Sequence, residues 1–178
     1  DFAGVCYDQI ANQLAKFRYQ TGGQVAMPVT IRFANGGSIG FGAQHSQNVE
    51  NWFLNHAGLI ICAPSTPADL YGILKSAIRN DNPVLVFEHK ALYESRGDIE
   101  VGKLVPIGVA SVVRTGADIT VVASQLMRNR CEEASEILAA EGIDVELIDP
   151  RTILPMDTET IFKSIKKTGR LICVQESS

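Results

Sequence analysis

Two kinds of hydrophobic pattern alternate along the chain. Short apolar runs rich in Val, Ile and Leu are typical of buried strands. Between them lie longer segments whose apolar residues recur at steps of three and four, the period of a helix with one buried face. Because strand and helix alternate repeatedly, the pattern predicts an α/β fold with mostly parallel sheets and right-handed crossovers. The predicted strands are 27–33, 59–62, 84–87, 119–123, 145–148 and 171–174.

The helical segments are bounded by start and stop signals. Thr66 followed by Pro67 predicts a helix start, and Gly142 and Gly169 predict helix ends. The predicted helices are 4–19, 47–56, the segment from Thr66 to the turn at 80–83, 129–141 and the segment from Asp157 to Gly169. Their predicted inward faces are Tyr7, Ile10, Leu14 and Phe17; Leu70, Ile73, Leu74, Ala77 and Ile78; Cys131, Ala134, Ile137 and Leu138; and Ile161, Phe162 and Ile165.

Between 91 and 106 the periodic pattern fades, and charged residues and two glycines take its place. We interpret this stretch as a linker between two domains. The predicted division is therefore 1–90, linker 91–106, and 107–178.

A glycine-rich stretch follows the first predicted strand. Four glycines fall between Gly36 and Gly42, which excludes a stable helix and favours a loop that another molecule can approach closely. The loop delivers His45 to the carboxyl end of the strand, where ligands bind in open parallel sheets. Without Lys-Ser/Thr after the glycines, the stretch is not a P-loop. From composition alone, His45 is either a site residue or a solvated loop histidine.

Composition narrows the class of protein. Of 178 residues, 46% are hydrophobic and 20% are charged, as in globular domains. A net charge of −4 argues against nucleic acid as a partner, and no apolar run is long enough to span a membrane. The four cysteines are widely spaced, so they predict buried, reduced thiols rather than a zinc site or disulfide framework.

Several blocks of sequence carry a family resemblance. Gly42-Ala43-Gln44-His45-Ser46-Gln47 lies between a Pro-Val-x-Ile-Arg strand and the run 57–61, and further blocks follow at 77–83, 87–89, 149–152 and 167–170. In this order the blocks resemble the β subunit of the thiamine-diphosphate-dependent dehydrogenase component of 2-oxo acid (pyruvate) dehydrogenase complexes, and the related acetoin dehydrogenase β subunit. The resemblance covers essentially the whole chain, and the run 1–10 leans toward the acetoin branch.

The resemblance implies a fold and a catalytic residue. It implies a transketolase-like pyrimidine-binding domain, followed by part of a transketolase C-terminal-like α/β domain. His45 is then expected beside the thiazolium of thiamine diphosphate, acting in acyl transfer to a lipoyl group, because imidazole gives and accepts protons near neutral pH. The glutamate that contacts the aminopyrimidine is expected upstream of Asp1, and magnesium with the diphosphate is expected on the partner α subunit.

The resemblance also implies a potassium site built mainly from main-chain oxygens. The matching positions are Val29, Ala77, Ile78, Asn80 and Asn82. The alternative is a plain helix end whose last carbonyls face water.

The implied partners are an α subunit, a second β subunit in a heterotetramer, a lipoyl-bearing acyltransferase, and pyruvate, another 2-oxo acid or acetoin as substrate. The implied location is the cytoplasm of a bacterium or an organelle matrix of a eukaryote. Both ends of the chain look cut, so we expect an incomplete subunit that is inactive alone. A single-chain transketolase-like enzyme and a non-catalytic assembly module remain as alternatives.

Other charged residues have more modest expected roles. Asp149, Arg151 and Asp157 flank two prolines and are expected to fix a loop between strand and helix, at a subunit or domain contact, rather than to catalyse a reaction. Arg32 is a candidate partner for a nearby carboxylate. Glu50 is expected to be a surface charge and Glu88 a strand-end residue near the linker.

Overall fold

The computed structural model describes residues 2–37 and 39–176. In these ranges eight strands form two sheets, flanked by helices. The strands are β1 (Thr30–Asn35), β2 (Ile60–Cys62), β3 (Val84–His89), β4 (Ser111–Arg114), β5 (Ile119–Ala123), β6 (Val145–Asp149), β7 (Thr152–Leu154) and β8 (Leu171–Val174). The α-helices are α1 (Ala15–Gln20), α2 (Pro67–Ile78), α3 (Gln125–Ala140) and α4 (Thr158–Thr168).

The first sheet has the strand order β1-β3-β2-β7, and its first three strands are parallel. Every residue of β3 is buried because the strand lies in the middle of the sheet with both faces covered. Leu85 and Phe87 pack against one core cluster, whereas Val84 and Val86 pack against a second cluster under α2. This alternation is the period of two that a strand imposes on its side chains.

The second sheet has the order β4-β6-β5-β8, with β6, β5 and β8 parallel and β4 antiparallel. Val121, Val145 and Leu147 form its core with side chains of α3. On α4, the Ser164 hydroxyl lies 2.7 Å from the hydroxyl of Thr120 in β5. The predicted fold class, two mostly parallel sheets with helices, is confirmed.

Strand β7 joins the two halves of the molecule. It follows β6 in sequence but pairs antiparallel with β2, so Cys62 of the first sheet lies opposite Thr152. Burial raises the pKa of the Cys62 thiol to about 12, so it remains a packed thiol in the core. Neither β4 nor β7 was among the predicted strands. The division into 1–90, 91–106 and 107–178 stays a prediction.

Several predicted boundaries shift, and α3 begins at Gln125 rather than at 129 while β3 ends at His89 rather than at 87. The strand predicted at 27–33 begins later, at Thr30, and continues to Asn35. The helix predicted at 47–56 is a single 3₁₀ turn, Glu50–Phe53. The predicted helix 4–19 is helical almost throughout, as a 3₁₀ turn (Phe2–Cys6), a π segment (Gln9–Leu14) and α1.

Five residues predicted to face the core are exposed, among them Phe17 at 39%. Ile78 and Ile137 are each 65% exposed and Phe162 is 58% exposed. Each follows or precedes a residue packed against the core, and one residue is a rotation of about 100° around a helix. The predicted inward faces were therefore too wide. Ala134 is exposed as well, and its neighbour Ser135 is buried instead.

The cysteines are also less buried than predicted: only Cys62 is buried, while Cys173 is exposed. Within the described residues, no helix is both long enough and apolar enough to cross a bilayer.

Candidate active site

The carboxyl end of β1 leads into residues 36–48, here called the glycine loop, of which Ser38 lies outside the described residues. Gly36, Gly40 and Gly42 have φ angles of 105°, 64° and 90°, which glycine adopts without strain. A Cβ on Gly40 or Gly42 would meet no heavy atom within 4 Å. These two glycines therefore turn the loop toward open space.

The base of the glycine loop is fixed by a buried polar contact. Asn35 is fully buried, and its Nδ2 donates to Oε2 of Glu50 at 2.7 Å. Its Oδ1 accepts from the backbone N–H of Val49 at 3.0 Å. The expectation that Glu50 is a surface charge was wrong, because Asn35 supplies the hydrogen bond that its buried carboxylate needs. The two ends of the loop are thus held together by side chains.

His45 lies at the end of a 3₁₀ turn, Ala43–His45, and is exposed. The centre of its ring is 5.2 Å from the ring of Phe2. Its backbone oxygen accepts a hydrogen bond from Nζ of Lys90 at 2.6 Å. Gln47 Nε2 donates to the Ala43 oxygen at 3.0 Å, which closes the turn. The imidazole is therefore accessible while its backbone is held.

Side chains at or just after the carboxyl ends of β3 and β8 lie against the glycine loop. His89, the last residue of β3, is buried, and its Nε2 lies 2.6 Å from Oε2 of Glu176, which follows β8. Lys90 comes next in the chain and contacts the His45 backbone. Burial lowers the pKa of the Lys90 ammonium, although the nearby Glu176 carboxylate opposes this.

A cleft of about 450 Å³ opens beside this edge of the first sheet, with Arg32 and Glu88 on its wall. The two form a bidentate ion pair, in which Arg32 Nη2 donates to Glu88 Oε2 at 2.9 Å. The hydrogen bond with Glu88 raises the pKa of Arg32, and burial together with the Glu88 carboxylate raises the pKa of Tyr93. The expected ion pair of Arg32 with a carboxylate is confirmed. Both carboxylate oxygens of Glu88 accept hydrogen bonds from Arg32.

The five positions of the potassium prediction come from two segments that lie side by side. Val29 precedes β1, and the other four lie around the end of α2. The Met27 N–H donates to the Asp81 oxygen at 2.9 Å, which holds the two segments together. The Val29 oxygen accepts from the Val84 N–H at 2.9 Å, and the Ala77 oxygen accepts from the Asn80 N–H at 3.0 Å.

The side-chain oxygens of the set are less free to bind a cation. Asn80 Oδ1 accepts from the Asn82 N–H at 2.9 Å, and Asn82 Oδ1 accepts from the Arg18 guanidinium at 2.7 Å. A carbonyl oxygen has a second lone pair, so the main-chain oxygens of Val29, Ala77 and Ile78 fit a monovalent ion better than the amide side chains do. The assignment stays a prediction.

The described residues fit only part of the implied thiamine diphosphate. The glycine loop offers an open surface with an accessible imidazole. Across residues 2–37 and 39–176, however, no three or more His, Cys, Asp and Glu side chains come together in a group that could hold a metal ion. Glu50 and Glu88 are held by Asn35 and Arg32. The described part of the chain therefore presents an accessible imidazole toward the implied cofactor.

A second loop, residues 149–151, is here called the junction loop. Its Asp149 Oδ1 accepts from the Arg151 N–H at 2.9 Å. The Arg151 guanidinium donates to Asp69 at 3.1 Å and to the Val109 oxygen at 2.9 Å. Asp69 lies on α2, and Val109 precedes β4. Asp157 caps α4 through the Thr160 N–H at 3.1 Å. These contacts confirm that Asp149 and Arg151 fix a loop, which Arg151 ties to α2 through Asp69, whereas Asp157 holds the start of α4.

A buried glutamine makes a further link beside the junction loop. Gln125 has φ 53° and is 4% exposed. Its N–H donates to the Ser65 hydroxyl at 2.7 Å, and its Nε2 donates to the Phe87 oxygen at 2.9 Å. The start of α3 is thereby pinned to the carboxyl ends of β2 and β3.

Sequence reasoning missed His89, Lys90 and Glu176 as members of the candidate site. A signal for the first two was available, because charged residues follow the most apolar predicted strand at the end where ligands bind. Glu176 follows a strand in the same way, but nothing in the sequence indicates that β8 and β3 end near one another.

Comparison with known proteins identifies the family. Residues 1–96 match the family model "Transketolase, pyrimidine binding domain", and residues 108–178 match "Transketolase, C-terminal domain". A solved "Split gene transketolase, inactive beta4 tetramer" superimposes with a TM-score of 0.83 at 24% identity, over 99% of this chain and 55% of that one. This likeness supports the fold.

Curated relatives extend the comparison. The chain is 46% identical to the acetoin:2,6-dichlorophenolindophenol oxidoreductase subunit beta of Cupriavidus necator, over 100% of this chain and 53% of the relative. It is 46% identical to the mitochondrial pyruvate dehydrogenase E1 component subunit beta of Dictyostelium discoideum, over 99% and 51%. The 2-oxoisovalerate dehydrogenase subunit beta of Bacillus subtilis is 39% identical, over 100% and 55%. The chain thus spans about half the length of these relatives.

The resemblance drawn from the sequence blocks is confirmed by these matches. The two family models follow one another along the chain, in the order that the resemblance implies. The chain belongs to the transketolase family, as a pyrimidine-binding domain followed by C-terminal-domain sequence, and it is homologous to the β subunits of pyruvate and acetoin dehydrogenases.

Proposed function

We propose that the chain is part of the β subunit of a thiamine-diphosphate-dependent dehydrogenase that decarboxylates a 2-oxo acid such as pyruvate, or cleaves acetoin, and transfers the acyl group to a lipoyl acceptor. The observation that carries the proposal is the accessible imidazole of His45, held on an open glycine loop at the carboxyl edge of the first sheet. Ligands of parallel α/β sheets bind at this edge.

Thiamine diphosphate, when bound, supplies the carbon nucleophile and electron sink for cleaving the bond next to the substrate carbonyl. The part assigned to this chain is proton handling. His45 gives or accepts a proton at the substrate oxygen while the acyl group passes to the lipoyl acceptor, a role that suits an accessible imidazole. Lys90 and Gln47 hold the backbone of the 43–45 turn, so the backbone that carries the imidazole ring is held in place.

The rest of the site is assigned to partners. An α subunit would hold magnesium and the diphosphate. A second β subunit would complete a heterotetramer, and a lipoyl-bearing acyltransferase would receive the acyl group. The assembly would lie in a bacterial cytoplasm or an organelle matrix.

The test uses the complete β subunit co-expressed with its α partner. Thiamine-dependent dye reduction with pyruvate, branched 2-oxo acids and acetoin identifies the substrate. His45→Ala is expected to lower acyl transfer to the lipoyl acceptor by ~10²–10⁴-fold, the usual contribution of a positioned acid–base group. Cofactor titration should change little, because the diphosphate contacts lie on the α subunit.

The matched control is His56→Ala. His56 contacts Tyr7 at 3.3 Å and takes no part in the glycine loop, so its loss should leave lipoyl turnover unchanged. Unchanged turnover in a folded His45→Ala enzyme would contradict the proposal. The 178-residue chain alone is expected to show no thiamine-dependent turnover, and measurable turnover would contradict the assignment of the cofactor-holding groups to the α subunit.

We also propose that a potassium ion binds the main-chain oxygens of Val29, Ala77 and Ile78, with the turn 80–82. The support is that hydrogen bonds bring 27–29 and 81–84 together. Potassium chloride should then raise the unfolding temperature of the assembled enzyme more than the same concentration of choline chloride, since an ion that binds only the folded state stabilises it. Equal stabilisation by the two salts would exclude the site.

A further inference from the structure

We propose that His89, Lys90 and Glu176 form a clamp that positions the glycine loop and thereby the imidazole of His45. The three are positioning residues, because they contact the loop. The effect on turnover rests on the proposed function of His45, whereas the effect on loop order does not.

Glu176 is the centre of the clamp. Its Oε2 accepts from Nε2 of His89 at 2.6 Å, from Nδ2 of Asn48 at 3.1 Å and from the N–H of Gly37 at 3.4 Å. Asn48 Nδ2 also donates to the Glu176 backbone oxygen at 2.8 Å. One carboxylate oxygen therefore binds both ends of the glycine loop, and charge-assisted hydrogen bonds of this kind are the stronger ones in proteins.

His89 connects this carboxylate to the first sheet. The Ala91 N–H donates to Nδ1 of His89 at 3.2 Å, which assigns Nδ1 as the acceptor and Nε2–H as the donor to Glu176. The ring is also the surface on which the loop rests. A Cβ on Gly36 would lie 2.5 Å from Nε2 of His89, so only glycine fits there without displacing the ring.

Lys90 holds the far side of the loop. Its Nζ donates to the His45 oxygen at 2.6 Å. The loop is therefore held near Gly37, at Asn48 and at His45, by residues that follow β3 and β8. These strands belong to different sheets, so the position of His45 depends on how the second sheet is placed against the first.

The test is made in the complete β subunit assembled with its α partner. Glu176→Gln keeps the shape of the side chain and removes its charge. It should raise hydrogen exchange of the amides of 36–48, and lower kcat for lipoyl acylation, each by about 10-fold or more, while KM for the 2-oxo acid changes little. Lys90→Met should likewise raise loop exchange and lower kcat. Lys90→Arg keeps a hydrogen-bond donor, so its effect on both quantities should be smaller.

Glu159→Gln is the matched control, because Glu159 is exposed on α4 and takes no part in the clamp. Unchanged loop exchange in Glu176→Gln and Lys90→Met would overturn the clamp, whatever His45 does. Faster loop exchange in the Glu176 and Lys90 variants would support the clamp. If lipoyl turnover is nevertheless unchanged in these variants and in His45→Ala, the proposed role of His45 is overturned. If Glu176→Gln does not assemble, Lys90→Met decides the matter, since it changes a side chain at the edge of the network.

Discussion

The glycine loop and the junction loop both follow the carboxyl end of a parallel strand, yet they are built differently. The glycine loop turns outward at Gly40 and Gly42 and exposes a histidine. In the junction loop, Arg151 is held by hydrogen bonds to backbone oxygens and to Asp69, and Asp149 is almost fully buried. A side chain that follows a strand end can therefore stay exposed on a turn, as His45 does, or be held in contacts between elements, as Arg151 is.

The largest expected effect on stability concerns the junction loop. The side chains of Arg151 and Asp69 are each 14% exposed, so Arg151→Met leaves a nearly buried carboxylate without its cation. The cost should be about 3–5 kcal/mol in the free energy of unfolding, as found when one partner of a buried pair is removed. Urea unfolding followed by Trp52 fluorescence measures it.

The control for that change is Arg130→Met. Arg130 is 65% exposed and pairs with Glu133 on the surface of α3, so its loss should stay within about 0.5 kcal/mol. Equal costs for the two variants would show that the junction loop is no more important for stability than the surface.

A smaller effect is expected from Asp149. Burial raises its pKa to about 6 from 3.8, so the folded state holds a proton that the unfolded state has released between these values. The protonated Asp149 carboxyl therefore contributes stability that is present below pH ~4 and is lost as the pH rises through 6. Asp149→Asn should therefore stabilise the chain by ~1–3 kcal/mol at pH 7.5 and have little effect at pH 4.

The measurement for Asp149 is urea unfolding at the two pH values. Asp98→Asn, at an exposed position, should leave the difference in unfolding free energy between the two pH values as it is in the original chain. A destabilised Asp149→Asn at pH 7.5 would mean that the ionised carboxylate is needed where it lies.

The smallest expected effect on stability lies in the glycine loop. Gly40→Ala places a Cβ in open space, so its cost is the left-handed backbone alone, about 1–2 kcal/mol. Gly22 has a similar φ of 62° and equally open surroundings, so Gly22→Ala should cost the same. Of these two variants, Gly40→Ala alone should also reduce lipoyl turnover of the assembled enzyme, because Gly40 lies in the loop that carries His45 and Gly22 does not. Equal lipoyl turnover in the two variants would show that the turn at Gly40 matters no more for His45 than the turn at Gly22.

Much of the fold could be predicted because its strands and helices have strong local patterns. β3 is a continuous apolar run, and α2 begins where Thr66 accepts from the Asp69 N–H at 3.1 Å, as the cap pattern indicates. The width of each buried helix face was overestimated because Ile and Phe also occur beside the true face, as at Ile137 and Phe162.

The candidate site could be predicted only in part. The glycines and His45 stand together in sequence, so the loop was apparent. Glu50 was misassigned because its partner, Asn35, is 15 residues away. Glu176 contacts the loop across more than 120 residues, and no local period records such a contact. β7 is three residues long, too short for an alternating pattern to indicate that it leaves its neighbour β6 for another sheet.

The pairing of β7 with β2 sets an order of events during synthesis. The edge of β2 at Ile61 and Cys62 acquires its partner only when residues 152–154, roughly 90 positions later, have left the ribosome. At cellular elongation rates this delay is on the order of ten seconds. During it, the nascent first sheet presents the free hydrogen-bonding groups of an edge strand, to which another chain can pair. We therefore expect chaperone binding to peak in that interval and to fall once β7 emerges.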